Sequence, residues 1–208
     1  MAATLDPEHE RTLLESVQRD RHAFTQLYNH YFPRLYAYFC YQVGGRHDAE
    51  DLVSEAFLKA VEGLASGRFE WRHEGSFAGW LFRIARNCLS DHRRRASRPN
   101  EPLNLDDLPS IQVLHSDSLP EDAMLRKEQF AQLQRFVFAL SPRRQEIITL
   151  KFFGGLHNSE IAALVGLDER TVASHLCRGL DDLYQKYRQE TADDKGSPPS
   201  RAKRNMPG

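Results

Sequence analysis

Between Phe77 and Cys88 the apolar residues Phe77, Trp80, Leu81, Ile84, Ala85 and Cys88 recur at spacings of three and four, the period of one side of an α-helix. Ala49, Leu52, Val53, Ala56, Phe57 and Ala60 repeat that pattern upstream, and Asp48 is placed to cap the start of their helix. Strand-like alternation is scarce from about Glu8 to Ser97, which commits this half of the chain to helices packed on helices. Breaks are expected at Pro33, at Gly44 and Gly45, and between Gly63 and Gly75.

The Phe77 run carries a second pattern in its polar residues. Arg83, Arg86, Arg93, Arg94, Arg95 and Arg98 are opposed only by Asp91, six positive charges against one. Solvated helix faces usually mix signs, so a one-signed cluster beside aromatics and Asn87 points to nucleic acid; a plain surface helix is the alternative. The chain as a whole does not seek polyanions, since its net charge is −1 and its isoelectric point is near 6.8. Charge is segregated instead. Asp48, Glu50, Asp51, Glu55 and Glu62 face Lys59 alone over residues 48–62, and Glu101 to Asp122 holds six acids with no Lys or Arg. Such blocks imply several partners, each met by a different face.

A length of 208 residues favours two small domains, each able to bury its own core. Cys40, Cys88 and Cys177 are odd in number and far apart, which fits a reduced, cytoplasmic setting better than a disulfide framework. No run of 18 apolar residues occurs, so no membrane insertion is expected. Pro99, Pro102, Pro109 and Pro120 mark an extended linker from Arg98 to Pro120, followed by a helical domain from about Glu121 to Arg188. The tail from Gln189 is expected to be disordered. Within the second domain, Asn158 to Val165 forms a short helix with Ile161, Ala162 and Val165 inward. Gly166 supplies a turn, and Asp168 or Glu169 opens a second helix with Val172, Leu176 and Leu183 inward. This is a helix-turn-helix layout, which presents its second helix to the major groove.

Together these pieces resemble a bacterial RNA polymerase sigma factor of the sigma-70 family, in its small two-domain extracytoplasmic-function (ECF) group, from about Ala23 to Tyr187. DAEDLVSEAFLKA (48–60) resembles the family's core-polymerase-binding helix. FAGWLFRIARNCLSDHRRR (77–95) resembles its promoter-melting and minus-ten-reading helices. LSPRRQEIITLKFFGGLHNSEIAALVGLDERTVASHLCRGL (140–180) resembles its minus-thirty-five-reading domain. The resemblance implies an all-α fold: a sigma-2-like helical bundle over residues 1–97 and a sigma-4-like helix-turn-helix domain over 121–188, joined by an extended acidic linker over 98–120. It implies a cytoplasmic, DNA-binding protein that binds core RNA polymerase, directs promoter-specific initiation and is held by an anti-sigma factor. No catalytic residue, metal or cofactor is implied.

By the same resemblance, polymerase contacts fall on Asp48, Glu50, Asp51 and Glu55 around Leu52 and Val53. Minus-ten contacts fall on Arg83, Arg86, Asn87, Arg93, Arg94 and Arg95, with the loop from Trp71 to Ser76 as a pocket for an extruded base. Minus-thirty-five contacts fall on Arg170, Thr171, Ser174, His175 and Arg178. Unstacking a base costs a few kcal/mol, which stacking and base-edge hydrogen bonds must offset. Phe77 and Trp80 suit either that stacking or the core. In the linker, Glu101, Asp106, Asp107 and Asp117 would imitate RNA in the polymerase channel; by composition alone an ordinary solvated tether fits equally.

The recognition helix departs from the family. Where a basic pattern is usual, this chain has Thr171-Val172-Ala173-Ser174-His175-Leu176-Cys177-Arg178-Gly179-Leu180, and from Asp168 to Leu183 only Arg170 and Arg178 oppose four acids. Weak minus-thirty-five binding is therefore expected, with His175 adding a charge near neutral pH. The first helix of the pair begins at His157 rather than Ser or Thr, leaving Asn158 or Ser159 to cap it. A helix-turn-helix regulator that works without joining polymerase is the rival, and it leaves the acidic helix without a purpose. An enzyme finds little support: Cys88 with His92 and His175 with Cys177 lack a second ligand pair, and HExxH, GxSxG and a phosphate-cradling Gly-rich loop are absent.

Overall fold

The computed structural model of the chain describes residues 5–43, 45–95 and 120–196, with backbone alone for 120–128 and 191–196. The described elements are helices: α1 (Pro7–Ser16), α2 (Arg21–Val43), α3 (Arg46–Ala65), α4 (Ser76–Arg95), α5 (Pro120–Phe138), α6 (Pro142–Phe152), α7 (Asn158–Val165) and α8 (Glu169–Gly196). The fold is all-α, as the periodicity requires. The expected linker lies outside the described residues except for Pro120, which already opens α5.

Helices α1 to α4 form a first unit built around α2, which packs on each of the other three. Leu35, Tyr38, Phe39 and Cys40 of α2 are fully buried. The stripe read in α3 is the buried one, Ala49 to Ala60, and α4 buries Phe77, Ala78, Leu81, Phe82, Ala85, Cys88 and Leu89. Each large side chain among these contributes about 1.5–3 kcal/mol on leaving water. Trp80 and Ile84 sit half-buried at the stripe's edge, so its centre is rotated toward Phe82 and Leu89.

Four sequence expectations change here. Pro33 does not break α2; it lies inside a helix of 23 residues. A mid-helix proline costs about 3 kcal/mol, and burial of Tyr31, Leu35, Tyr38 and Phe39 around it outweighs that cost. The unexpected break is Val17 to Asp20, between α1 and α2. Asp48 is not the cap of α3: Gly45 is, and Asp48 sits in the first turn, where a carboxylate still favours the helix dipole. Finally, α8 continues past Arg188 to Gly196, so residues 189–196 of the expected tail are helical.

Helices α5 to α8 form the second unit. Gly166, at φ +70°, ends α7 in the left-handed conformation that glycine adopts without strain, and this turns the chain into α8. Thr171 donates both its N–H (2.8 Å) and its hydroxyl (2.6 Å) to the Asp168 carboxylate, which caps the start of α8. At α7 the cap is His157 itself, not Asn158 or Ser159, because Glu160 reaches back to accept its N–H at 2.6 Å.

The two units do not keep separate cores. One buried cluster runs from Leu13 through Leu81 and Ile147 to Leu176. A polar seam lies beside it at the end of α2, whose last carbonyls have no partner within the helix. Cys40 O accepts from Gln134 Nε2 (2.8 Å) of α5 and Tyr41 O from Gln145 Nε2 (2.6 Å) of α6. Gln42 O accepts from Arg93 Nη2 (3.3 Å) of α4. Gln42 in turn donates to Thr149 Oγ1 at 2.8 Å, and Tyr41 stacks on Phe153 at 4.1 Å.

Candidate nucleic-acid interface

Helix α4 separates its two patterns by face. The apolar residues turn into the bundle, while Arg83, Asn87, Arg93, Arg94 and Arg95 lie on the outer side and Arg86 is half-buried. Several of these arginines are already engaged. Arg86 Nε meets Glu146 Oε1 of α6 at 2.7 Å, Arg93 holds the Gln42 side-chain oxygen at 2.7 Å, and Arg94 pairs with Asp91. Arg86, Asn87 and Arg94 face Pro142, Arg143 and Glu146 across a cleft of 570 Å³. The charge asymmetry of the run thus survives on the surface, but part of it is met by the second unit.

The loop before α4 packs an aromatic ring against the start of the helix. Phe69, Phe77 and Trp80 form a tilted and edge-on aromatic group with centroids 5.1–5.8 Å apart. Phe77 belongs to the core at 3% exposure, and Trp80 leans over Gly63, where an added methyl would stand 2.6 Å from its ring. Phe77 is therefore not free to stack on a base, whereas Trp80 keeps part of its ring exposed. Trp71 is half-buried against the core, and Gly75, at φ +79°, lies directly against Glu160 of α7.

On α3 the acids Asp48 and Asp51 are exposed, whereas Glu50 and Glu55 are half-buried and pair with Arg46 (2.7 Å) and Lys59 (2.7 Å). Leu52 must be withdrawn from any contact surface. It is 2% exposed, on the side of α3 that builds the core, and Val53 shares its fate. The apolar residues that α3 does present are Leu58 and Val61, 61% and 39% exposed. The sequence held that signal, because both fall outside the stripe from Ala49 to Ala60.

On α8, Arg170, Ser174 and Arg178 are exposed along one side, and Thr171 is half-buried by its bonds to Asp168. His175 is half-buried, with Nδ1 enclosed and lacking a hydrogen bond. Val172 and Leu176 are core, as their spacing predicts. Asp182, counted among the acids that would repel phosphate, is held by Arg144 of α6, so Asp181 is the uncompensated acid of that pair of neighbours.

A helical bundle with a one-signed helix face, followed by a helix-turn-helix unit, defines a two-part DNA-binding protein. Models of two families match it: Sigma-70 region 2 over residues 27–99 and Sigma-70, region 4 over residues 130–183. The chain is 35% identical over 183 residues to the ECF RNA polymerase sigma factor BldN of Streptomyces coelicolor, covering 88% of this chain and 67% of that one. It is 30% identical to the RNA polymerase sigma-H factor of Pseudomonas aeruginosa, over 86% of this chain and 94% of that one. Among solved structures, CnrH in complex with the cytosolic domain of CnrY aligns with a TM-score of 0.59 at 23% identity, over 91% of this chain and 99% of that one. RpoE in complex with the anti-sigma factor NepR, from Bartonella quintana, aligns with a TM-score of 0.58 at 23% identity, over 79% and 96%. The chain belongs to the sigma-70 family of RNA polymerase sigma factors, in its ECF group. As such it binds core RNA polymerase and directs promoter-specific initiation.

Proposed function

We propose that α4 and the loop before it open the promoter and hold the minus-ten strand, that α8 reads the minus-thirty-five element, and that the outer face of α3 docks core polymerase. The observation that carries this division is the one-signed outer face of α4, Arg83 to Arg95, on a helix whose other side is anchored in the core. Arg83, Arg86, Asn87, Arg93, Arg94 and Arg95 serve the separated strand through phosphate and base-edge contacts. Arg170, Thr171, Ser174, His175 and Arg178 serve the duplex upstream. On α3, Asp48, Glu50, Asp51 and Glu55 steer association and set its salt dependence, while Leu58 and Val61 supply the apolar centre of the contact.

No step of this work is catalytic, and no helix among the described residues is long and apolar enough to cross a membrane. The protein acts in the cytoplasm with polymerase. A protein inhibitor of the kind that NepR is for RpoE is its natural regulator. Run-off transcription with core polymerase on a promoter library tests the whole reading: the chain should form a stoichiometric complex on size exclusion and initiate at a defined subset of promoters. DNA binding without either result would favour the regulator that works apart from polymerase.

A further inference from the structure

We infer that the cleft between α4 and α6 is a binding site for a small ligand carrying a diphosphate group, as a nucleoside diphosphate does, held by Arg86, Arg93 and Arg94 of one unit and Arg143 of the other.

The four guanidiniums are fixed in place by the protein itself. Among the described residues, Arg86 is held through Nε by Glu146 Oε1 at 2.7 Å and Arg143 through Nη1 by Glu146 Oε2 at 3.2 Å. Arg93 is held through Nη2 by Gln42 Oε1 at 2.7 Å, and Arg94 through Nη2 by Asp91. The anchoring acceptors sit on three different helices, α2, α4 and α6. A guanidinium carries N–H donors on all three of its nitrogens, so each of these arginines keeps donors for the cleft after its anchoring bond is made. Side chains already held lose little rotamer freedom when a ligand arrives, which is the usual condition for a tight polar site. Glu146, only 18% exposed, divides its charge between two arginines. A cleft with four guanidiniums and one committed carboxylate on its walls concentrates small anions.

The grouping suits a diphosphate better than the backbone of a nucleic acid. Phosphodiester links carry single charges spaced along a strand, whereas a terminal diphosphate packs several charges into one place, where four forks can meet them. The volume of 570 Å³ falls within the range of about 300–1,000 Å³ usual for small-molecule sites and leaves room beyond the diphosphate. Exposed Asn87 can donate to and accept from a base edge there, and Pro142 offers an apolar surface beside it. Such a ligand would also compete with the minus-ten strand for Arg86, Arg93 and Arg94; this consequence alone rests on the assignment of α4 to that strand.

Isothermal titration calorimetry of the full chain with ADP, inorganic pyrophosphate, AMP and the dinucleotide thymidylyl-thymidine tests the site. ADP or pyrophosphate should bind once per chain, about tenfold more tightly than AMP or the dinucleotide, the equivalent of one charge-assisted fork. Tighter binding of ADP than of pyrophosphate would support a nucleotide as the source of the diphosphate, and equal binding would support the free form. Arg143→Gln should weaken ADP about tenfold and Arg94→Gln/Arg143→Gln further, with melting temperature as the folding control. The exposed pair Arg19→Gln/Arg68→Gln, outside the cleft, should change nothing. A dinucleotide that binds as tightly as ADP would overturn the proposal, because the arginines would then serve phosphodiesters alone. So would absence of ADP and pyrophosphate binding, or an equal loss in the Arg19/Arg68 control. ADP should displace a labelled pool of single-stranded DNA from the parent chain, and about tenfold more should be needed with Arg143→Gln, whose arginine is not among those assigned to the strand. ADP binding intact in a chain that fails to hold the pool would sink the strand assignment and leave the site standing; the pool held without ADP binding would do the reverse.

Discussion

A carboxyl group beneath the contact of α1 with α2 ties the stability of the first unit to pH. Glu10 is 5% exposed and accepts a hydrogen bond from the Tyr31 hydroxyl. Burial pushes its pKa up from the ordinary 4.5, more than the Tyr31 bond and the Arg34 charge pull it down. A raised acid keeps its proton in the folded state after the unfolded chain has lost it. Stability is therefore full below about 4.5 and falls as pH rises through the raised value. In urea titrations, Glu10→Gln should remove that decline, gaining on the parent protein at neutral pH and not at pH 4. Tyr31→Phe should act in the opposite sense, costing about 1–3 kcal/mol at neutral pH by leaving the carboxylate unpaired. Glu10 was not legible as a buried acid, because it sits in an acidic first turn that reads as solvated. Its burial follows from the pairing with Tyr31, 21 residues away.

At the scale of the element, the faces of α3 and α4 were legible because the helical period assigns inside and outside together. The stripe of α3 from Ala49 to Ala60 is its buried side, and the same period shows why Leu52 cannot be a contact while Leu58 and Val61 can. Leu58→Ala with Val61→Ala should weaken capture of core polymerase by about tenfold, as two residues at the centre of an interface commonly do, with little change in melting temperature. Leu52→Ala should instead cost about 2–5 kcal/mol of stability, and any loss of capture should follow from unfolding. Pro33 misled because its penalty is local and calculable, whereas the aromatic packing that overrides it is tertiary. On α4, replacing Arg93, Arg94 and Arg95 with glutamine should abolish open-complex formation more completely than Arg178→Gln. It should also reduce the salt slope of strand binding by about 0.7 for each phosphate deprived of its arginine. Glutamine at position 93 is too short to hold Gln42 as Arg93 Nη2 does, so the melting temperature of the triple variant is its folding control. Potassium permanganate footprinting of the unpaired bases would read the ranking, and the reverse order would remove the division of labour between the two units.

For the whole molecule, the sequence implied two domains with a core each, and the structure joins them in one buried cluster. That union was not legible, because helical periodicity marks residues as buried without saying which unit they pack against, and the polar seam beside the cluster is unpatterned. Gln134, Gln145 and Thr149 have no periodic signature, and their partners are the terminal carbonyls and Gln42 side chain of α2, which no side-chain pattern records. The consequence is thermodynamic coupling. Tryptophan fluorescence reports the first unit alone, since the two tryptophans are Trp71 and Trp80, whereas helical circular dichroism reports both units. In denaturant the two signals should trace one coincident transition, as expected when a shared core makes folding all-or-none. Gln134→Ala with Gln145→Ala leaves two buried carbonyls without donors, at about 1–3 kcal/mol each while the units stay docked. Undocking relieves that cost by admitting water. The pair of substitutions should therefore split the curves, the dichroism preceding the fluorescence as the second unit, cut off from most of the shared cluster, melts first. Curves that remain superimposed and merely shift to lower denaturant would mean that the apolar cluster, rather than the cap on α2, binds the two units together.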